Sequence, residues 1–139
     1  MASASEIYHR AIQTLAQDAI GEARLEHPSG TAFLDNPLCG DCVDMQVEVR
    51  DSRIQAIGHK VRGCLLCRAS ASMIGKHALG ATRDDIVRVA TAVGTFLREQ
   101  GSAPEGWPDL DHFTPVRGHA SRYGCVELPF KALLAALTK

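Results

Sequence analysis

The stretch Val43-Asp44-Met45-Gln46-Val47-Glu48-Val49-Arg50 alternates apolar and polar side chains without a break. A period of two places the apolar side chains on one face of a β-strand and the polar ones on the other. Residues 51–53 are typical of a turn, and residues 54–62 have the composition of an antiparallel partner strand. The sequence therefore predicts a β-hairpin that returns the chain to where it began.

Two close pairs of cysteines flank this hairpin. Cys39 and Cys42 precede it, Cys64 and Cys67 follow it, and Cys125 stands alone near the C-terminus. Thiolates are ligands that soft and borderline metals prefer, and two intervening residues let both sulfurs of a pair converge on one ion. Because paired strands lie about 4.8 Å apart, the hairpin brings Cys64 back toward the turn that carries Cys39. Metal or sulfur chemistry is the predicted function.

Helical patterns surround the hairpin and predict an α+β fold, a small antiparallel sheet of two to three strands with helices packed on one side and the metal site at one end. We expect one domain over residues 1–139. Its other predicted elements are an N-terminal helix within 1–30, a helix over 66–79, a helix capped by Thr82 and Asp85, a long loop without regular structure over 101–121, and a last helix with Pro129 in its first turn.

Composition excludes several classes of function. The formal net charge is -1, which gives no reason to expect nucleic-acid binding. No apolar run is long enough to span a bilayer, and the N-terminus lacks the basic and apolar segments of a secretory signal. We therefore expect a cytoplasmic protein without nucleic-acid or membrane partners. In the cytosol thiols stay reduced, so the cysteines favour metal binding or thiol reactivity over disulfides.

These placements predict one site. Cys39 and Asp41 lie on a turn, Cys64 lies where the hairpin returns to that turn, and Cys125 precedes a helix that packs on the same core. Three sulfurs and one carboxylate oxygen satisfy a tetrahedral zinc ion, and the same set can hold a small iron-sulfur cluster.

Three motifs in this order resemble a known family. The segments Asn36-Pro37-Leu38-Cys39-Gly40-Asp41, Gly63-Cys64-Leu65-Leu66-Cys67-Arg68-Ala69-Ser70-Ala71-Ser72-Met73 and Cys125-Val126-Glu127-Leu128-Pro129-Phe130-Lys131-Ala132-Leu133 closely resemble the U-type (NifU/IscU/SufU-like) iron-sulfur cluster assembly scaffolds. The long loop before Cys125 resembles the insertion of the SufU branch.

The resemblance implies a function and a ligand set. Such a scaffold accepts sulfur from a cysteine desulfurase, holds iron and a 2Fe-2S or 4Fe-4S cluster transiently, and passes the cluster to acceptor or carrier proteins; zinc occupies the resting form. By resemblance the ligands are Cys39, Asp41, Cys64 and Cys125, with Cys67 as an alternative fourth ligand. Cys125, and after it Cys64, are the expected sulfur acceptors, in a scaffold rather than an enzyme.

The chain departs from the family pattern at four positions. Cys67 stands where the family often has Ser, and Cys42 where a polar or charged residue is common. His59 replaces a residue that is usually aromatic, and Gly124 stands where the shorter branch has His. Two thiols beyond the shared set therefore leave the choice of ligands open.

Two other functions stay open from the sequence. A zinc-dependent sulfurtransferase would accept persulfide sulfur from a desulfurase and build no cluster. A structural zinc ribbon would bind its ion through Cys39, Cys42, Cys64 and Cys67, a spacing that fits paired knuckles. In the ribbon Cys125 would have no role.

Overall fold

A computed structural model describes residues 10–37, 40–99 and 101–138 of the chain. Its elements, in chain order, are α1 (Arg10–Asp18), β1 (Gly30–Asn36), β2 (Asp41–Arg50), β3 (Arg53–Arg62), α2 (Leu65–His77), α3 (Arg83–Arg98), two 3-10 helices (Pro108–Val116 and Ala120–Arg122) and α4 (Tyr123–Thr138). The three strands form one antiparallel sheet in the order β1-β2-β3. The predicted α+β fold, with a small antiparallel sheet and packed helices, is confirmed.

The predicted hairpin is β2 and β3. Its two-residue turn, Asp51 and Ser52, has backbone φ angles of 53° and 65°. Positive φ at both central residues matches the right-handed twist of the flanking strands, which is why such turns close short hairpins. The turn sets the register that pairs Cys42, near the start of β2, with Arg62 at the end of β3.

The alternation read from the sequence decides which face of the sheet is buried. Val43, Met45 and Val47 of β2 are almost fully buried and lie on the face that α4 covers, while α2 packs on β3 and against α4. Neighbouring residues in a strand point to opposite faces, so Asp44 lies on the other face. That face is partly covered by the connection between α1 and β1, where the backbone N–H of Leu25 donates to the Gln46 side chain at 2.7 Å.

The N-terminal helix is shorter than the range 1–30 within which it was expected. α1 ends at Asp18, and positive φ angles at Ala19 and Gly21 turn the chain away. The chain then lies along the outer edge of β3, where the backbone N–H of His59 donates to the Gly21 carbonyl at 3.0 Å. The capping box predicted at Ser3 to Glu6 lies outside the described residues.

The start of α3 is as predicted. The Thr82 hydroxyl accepts from the Asp85 backbone N–H at 3.1 Å, and the Asp85 carboxylate accepts from the Thr82 N–H at 3.0 Å. Each side chain thereby satisfies a backbone donor that the helix itself leaves without a partner.

Residues 101–121 are not the loop without regular structure that the sequence predicted. They contain the first 3-10 helix and the start of the second, and four of their side chains are buried: Trp107, Leu110, Phe113 and Val116. Burying these apolar groups favours a folded segment over a solvated loop.

The last helix begins earlier than predicted. α4 starts at Tyr123, so Cys125 lies in its first turn and Pro129 lies inside it. Proline cannot supply the N–H that a regular helix would donate to the Cys125 carbonyl. Buried side chains before Pro129 (Val126 and Leu128) and after it (Phe130 and Leu133) pack in the core and hold the helix in place.

None of the helices in the described part of the chain has the length and apolar character needed to cross a membrane.

Candidate metal centre

The starts of β2, α2 and α4 lie close together, and each of these elements contributes one potential metal ligand. Asp41 is the first residue of β2, Cys64 is the N-cap of α2, and Cys125 is the third residue of α4. One ligand atom from each of the three lies within 4.8 Å of the other two. Residues far apart in the sequence therefore present two sulfurs and a carboxylate at one place.

Asp41 is held by hydrogen bonds to Cys64. Its Oδ1 accepts from the Cys64 backbone N–H at 2.9 Å, and its Oδ2 accepts from the Cys64 thiol at 3.6 Å. Asp41 is only 1% exposed. The carboxylate thus satisfies a donor at the start of α2 and also borders the sulfur of the same residue.

Opposing influences act on the Cys64 thiol. Burial raises its pKa, and the negative charge of Asp41 raises it further, while the backbone N–H groups of Cys67 and Leu66 lower it. Those N–H groups belong to the first turn of α2, where the helix presents its positive end. Without a cation, burial prevails and the protonated thiol is favoured.

The Cys125 thiol is more strongly affected. Burial raises its pKa far above the ordinary value, and the nearby Cys64 and Asp41 raise it further, because a second negative charge beside them is unfavourable. A divalent cation would reverse this preference, since metal ligation stabilises the thiolate. Two sulfurs and one carboxylate oxygen therefore fit an ion such as zinc chemically.

The helices that carry the two cysteines are fixed to each other. The buried Ser70 hydroxyl of α2 donates to the Val126 carbonyl of α4 at 2.6 Å. Arg98 of α3 donates to both carboxylate oxygens of Glu127 at 2.9 Å, a two-point ion pair that sets geometry as well as charge. Both contacts lie within two residues of Cys125, so they position its sulfur.

The other cysteines differ in their placement. Cys39 lies outside the described residues, so its expected role as a ligand stays a prediction. Cys42 is half-buried and adjoins Asp41 on β2, where successive side chains point to opposite faces. Cys67 is fully buried in the first turn of α2. Neither Cys42 nor Cys67 belongs to the ligand cluster found among the described residues.

Sequence reasoning gave no role to Ser70 or Gly63, although both lie within the quoted motifs. Ser70 is a polar residue on a helix face that is otherwise apolar and buried, which is the available signal for a buried hydrogen bond. Gly63 adjoins Cys64 at the junction between β3 and α2, where a residue without a side chain allows close approach.

The chain has relatives of known family. Residues 7–105 match the NifU-like N-terminal domain family. Over 82 residues the chain is 30% identical to the iron-sulfur cluster assembly scaffold protein IscU 1 of Archaeoglobus fulgidus, which covers 55% of this chain and 54% of that protein. The chain thus spans about half the length of that relative. It is also 21% identical over 133 residues to the IscU scaffold protein of Thermotoga maritima, covering 96% of this chain and 94% of the relative.

Solved structures share the fold. The N-terminal part of a nitrogen-fixing NifU-like protein from Brucella abortus has a TM-score of 0.90 and 30% identity, over 96% of this chain and 94% of that one. A putative SUF-system scaffold, FiSufU from Fervidobacterium islandicum AW-1, has a TM-score of 0.87 and 20% identity, over 97% and 99%; this likeness shows the fold alone. The family match covers most of the chain and confirms the resemblance read from the motifs: the protein belongs to the NifU-like N-terminal domain family of U-type scaffolds.

Proposed function

We propose that this protein is a scaffold for iron-sulfur cluster assembly. It accepts sulfur from a cysteine desulfurase, holds iron and the growing 2Fe-2S or 4Fe-4S cluster as its cargo, and passes the cluster to acceptor or carrier proteins. We place this activity in the cytosol, where thiols stay reduced. The names of the sequence relatives support the proposal, since each is an iron-sulfur cluster assembly scaffold protein.

The observation that carries the proposal is the cluster of Asp41, Cys64 and Cys125. Three separate elements deliver ligand types suited to iron and zinc, and one of the two thiols is partly exposed. A closed structural site would have no need of an accessible sulfur or of a carboxylate, which binds soft metal less firmly than thiolate. Asp41 therefore suits a site that must release its cargo.

The sulfur-transfer step is an exchange between sulfurs. A thiolate of this chain attacks the outer sulfur of the desulfurase persulfide, a new S–S bond forms on this chain, and the desulfurase cysteine leaves as a thiolate. No net oxidant is consumed. Cys125 and Cys64 are the proposed acceptors; Cys64 is the more accessible, because it is partly exposed and Cys125 is fully buried.

In the resting form we propose that Asp41, Cys64 and Cys125 hold zinc, with Cys39 as the fourth ligand. Bound zinc keeps the thiols deprotonated at neutral pH. Residues of the chain position the ligands. Asp41 accepts a hydrogen bond from the Cys64 backbone, and the contact of Ser70 with Val126 keeps α4 against α2.

Replacing Cys125 by Ser tests the ligand assignment. The wild-type protein, purified without oxygen, should carry metal; Cys125→Ser should lose it, while the matched control Cys42→Ser should keep it. Metal analysis with an absorbance spectrum is the measurement. Metal retained by Cys125→Ser and lost by Cys42→Ser would refute the assignment and favour the zinc ribbon.

The same protein distinguishes the scaffold from the zinc-dependent sulfurtransferase. Anaerobic incubation with iron and sulfide should produce cluster absorbance if the protein is a scaffold. One tightly held zinc, uptake of persulfide sulfur and no cluster would instead identify the sulfurtransferase.

A further inference from the structure

The residue before Cys64 has no side chain, and the Asp41 carboxylate occupies the space that a side chain would take. A Cβ atom on Gly63 would lie 2.4 Å from Asp41 Oδ1, 2.7 Å from its Cγ and 3.0 Å from its Cβ. Non-bonded carbon and oxygen atoms do not approach so closely. One of the two groups would have to move.

The backbone does not explain this glycine. Gly63 is absent from the residues of the described chain that have positive φ, in contrast to Gly40 and Gly80. Its φ angle is therefore one that other residues also adopt, and the usual reason for glycine, a positive φ, does not apply. The three nearest atoms all belong to the side chain of Asp41.

The Asp41 side chain is the group that would yield. Its backbone is paired with Asn36 of β1, and the next residue, Cys42, is paired on both sides, with β1 and β3. The short side chain can rotate about its Cα–Cβ bond, which moves Oδ1 and Cγ away and leaves only the 3.0 Å contact of its Cβ to be relieved by a small shift. Rotation would remove Oδ1 from the Cys64 N–H, now 2.9 Å away, and Oδ2 from the Cys64 sulfur, now 3.6 Å away. The carboxylate would then leave the ligand cluster.

We propose that Gly63 is a positioning residue of this site: its missing side chain is the space in which the Asp41 carboxylate reaches Cys64 and Cys125. This inference deepens the proposed function, because it names what sets the carboxylate in the centre. The hydrogen bond between Asp41 and Cys64 already exists without metal, so the role of Gly63 can be tested in the metal-free protein.

The first test follows the Cys64 backbone amide in the metal-free protein. Hydrogen exchange at this amide should become at least about tenfold faster in Gly63→Ala, because a hydrogen bond to a charged group is lost. The His59 amide, which bonds to Gly21, should not change. Lys60→Ala is the control, because Lys60 is an exposed residue of β3 and belongs to none of the described contacts that hold Asp41, Cys64 or Cys125.

The second test asks whether Gly63 acts through Asp41. Asp41→Ala should speed exchange at the Cys64 amide as Gly63→Ala does, and adding Gly63→Ala to Asp41→Ala should change little more. Zinc affinity, measured by competition with a chelator, should fall by at least about 10-fold in either single variant, because the carboxylate is lost as a ligand. It should fall no further in the double variant.

The outcomes separate the two proposals. Unchanged amide exchange and zinc affinity in Gly63→Ala, or additive losses in the double variant, would overturn the role of Gly63. If Gly63→Ala fails to fold, a folded double variant supports the clash with the carboxylate, and an unfolded one overturns it. A wild-type protein that binds no zinc, with a Cys64 amide that still responds to Gly63→Ala, would refute the metal site and leave the positioning role standing.

Discussion

Lowering the pH should destabilise this protein through His59. The side chain is 3% exposed, and its Nε2 lies 2.7 Å from the Ile20 carbonyl oxygen, a contact that requires Nε2 to donate. Burial lowers the pKa of His59 from its ordinary value of 6.5, although the Ile20 and Ala71 carbonyls and the charge of Glu22 oppose the effect. The folded protein therefore favours a neutral imidazole.

The direction of this pH effect on stability follows from proton binding. Because the pKa of His59 is lower in the folded chain, the unfolded chain binds more protons, and the free energy of unfolding falls as the pH drops below 6.5 toward the folded pKa. Between pH of about 7.5 and about 5.5 the loss reaches at most about 1.4 kcal/mol, the value for a histidine that stays neutral in the fold throughout. A smaller lowering of the pKa gives a smaller loss.

The assay is denaturant unfolding of the wild type and of His59→Gln at both pH values. Glutamine keeps an N–H donor for the Ile20 carbonyl but does not titrate. The other histidines contribute equally to both proteins, so the difference between the two isolates His59. Parallel loss of stability in both proteins, or a greater loss in His59→Gln, would refute the reasoning.

Two further predictions concern the site and residues 101–121. Asp41→Ala should slow cluster release and give a longer-lived cluster absorbance than the wild type, because a weaker ligand is removed. Asp44→Ala, on the opposite face of β2, is the control. A faster decay of the absorbance in Asp41→Ala would contradict the role of Asp41 in cluster release. Trp107→Ala should lower the free energy of unfolding by about 3–5 kcal/mol, because its buried ring packs 5.6 Å from that of Phe130. Glu105 is exposed, so Glu105→Ala should leave the free energy of unfolding, measured with denaturant, nearly unchanged. Equal effects of the two variants would show that residues 101–121 do not pack as described.

Sequence patterns predict secondary structure correctly where the residues that determine an element are neighbours along the chain. The hairpin follows from alternation along β2, and the start of α3 follows from the reciprocal bonds of Thr82 and Asp85. β1 was not located, because Gly30–Asn36 has only a short alternation and opens with glycine. β1 is an edge strand of the sheet, and its extended backbone is stabilised by pairing with β2. No local sequence pattern specifies that pairing.

Residues 101–121 contain a sequence signal for the structure that they adopt. Their buried side chains, Trp107, Leu110, Phe113 and Val116, recur every three residues, which is the period of a 3-10 helix. Prolines and glycines in the same segment favoured a loop by ordinary rules. Burial against the core outweighed those local preferences.

The sequence by itself determined the hairpin, the helix cap and the residue types suited to soft metals, since these depend on neighbours along the chain. Only the tertiary structure decided that Cys125 lies in the first turn of α4 beside Cys64, and that Gly63 leaves room for the Asp41 carboxylate. The physical reason is that the meeting of three elements depends on how α2 and α4 pack on the sheet. Contacts between residues distant in sequence set that packing, and no short pattern encodes them.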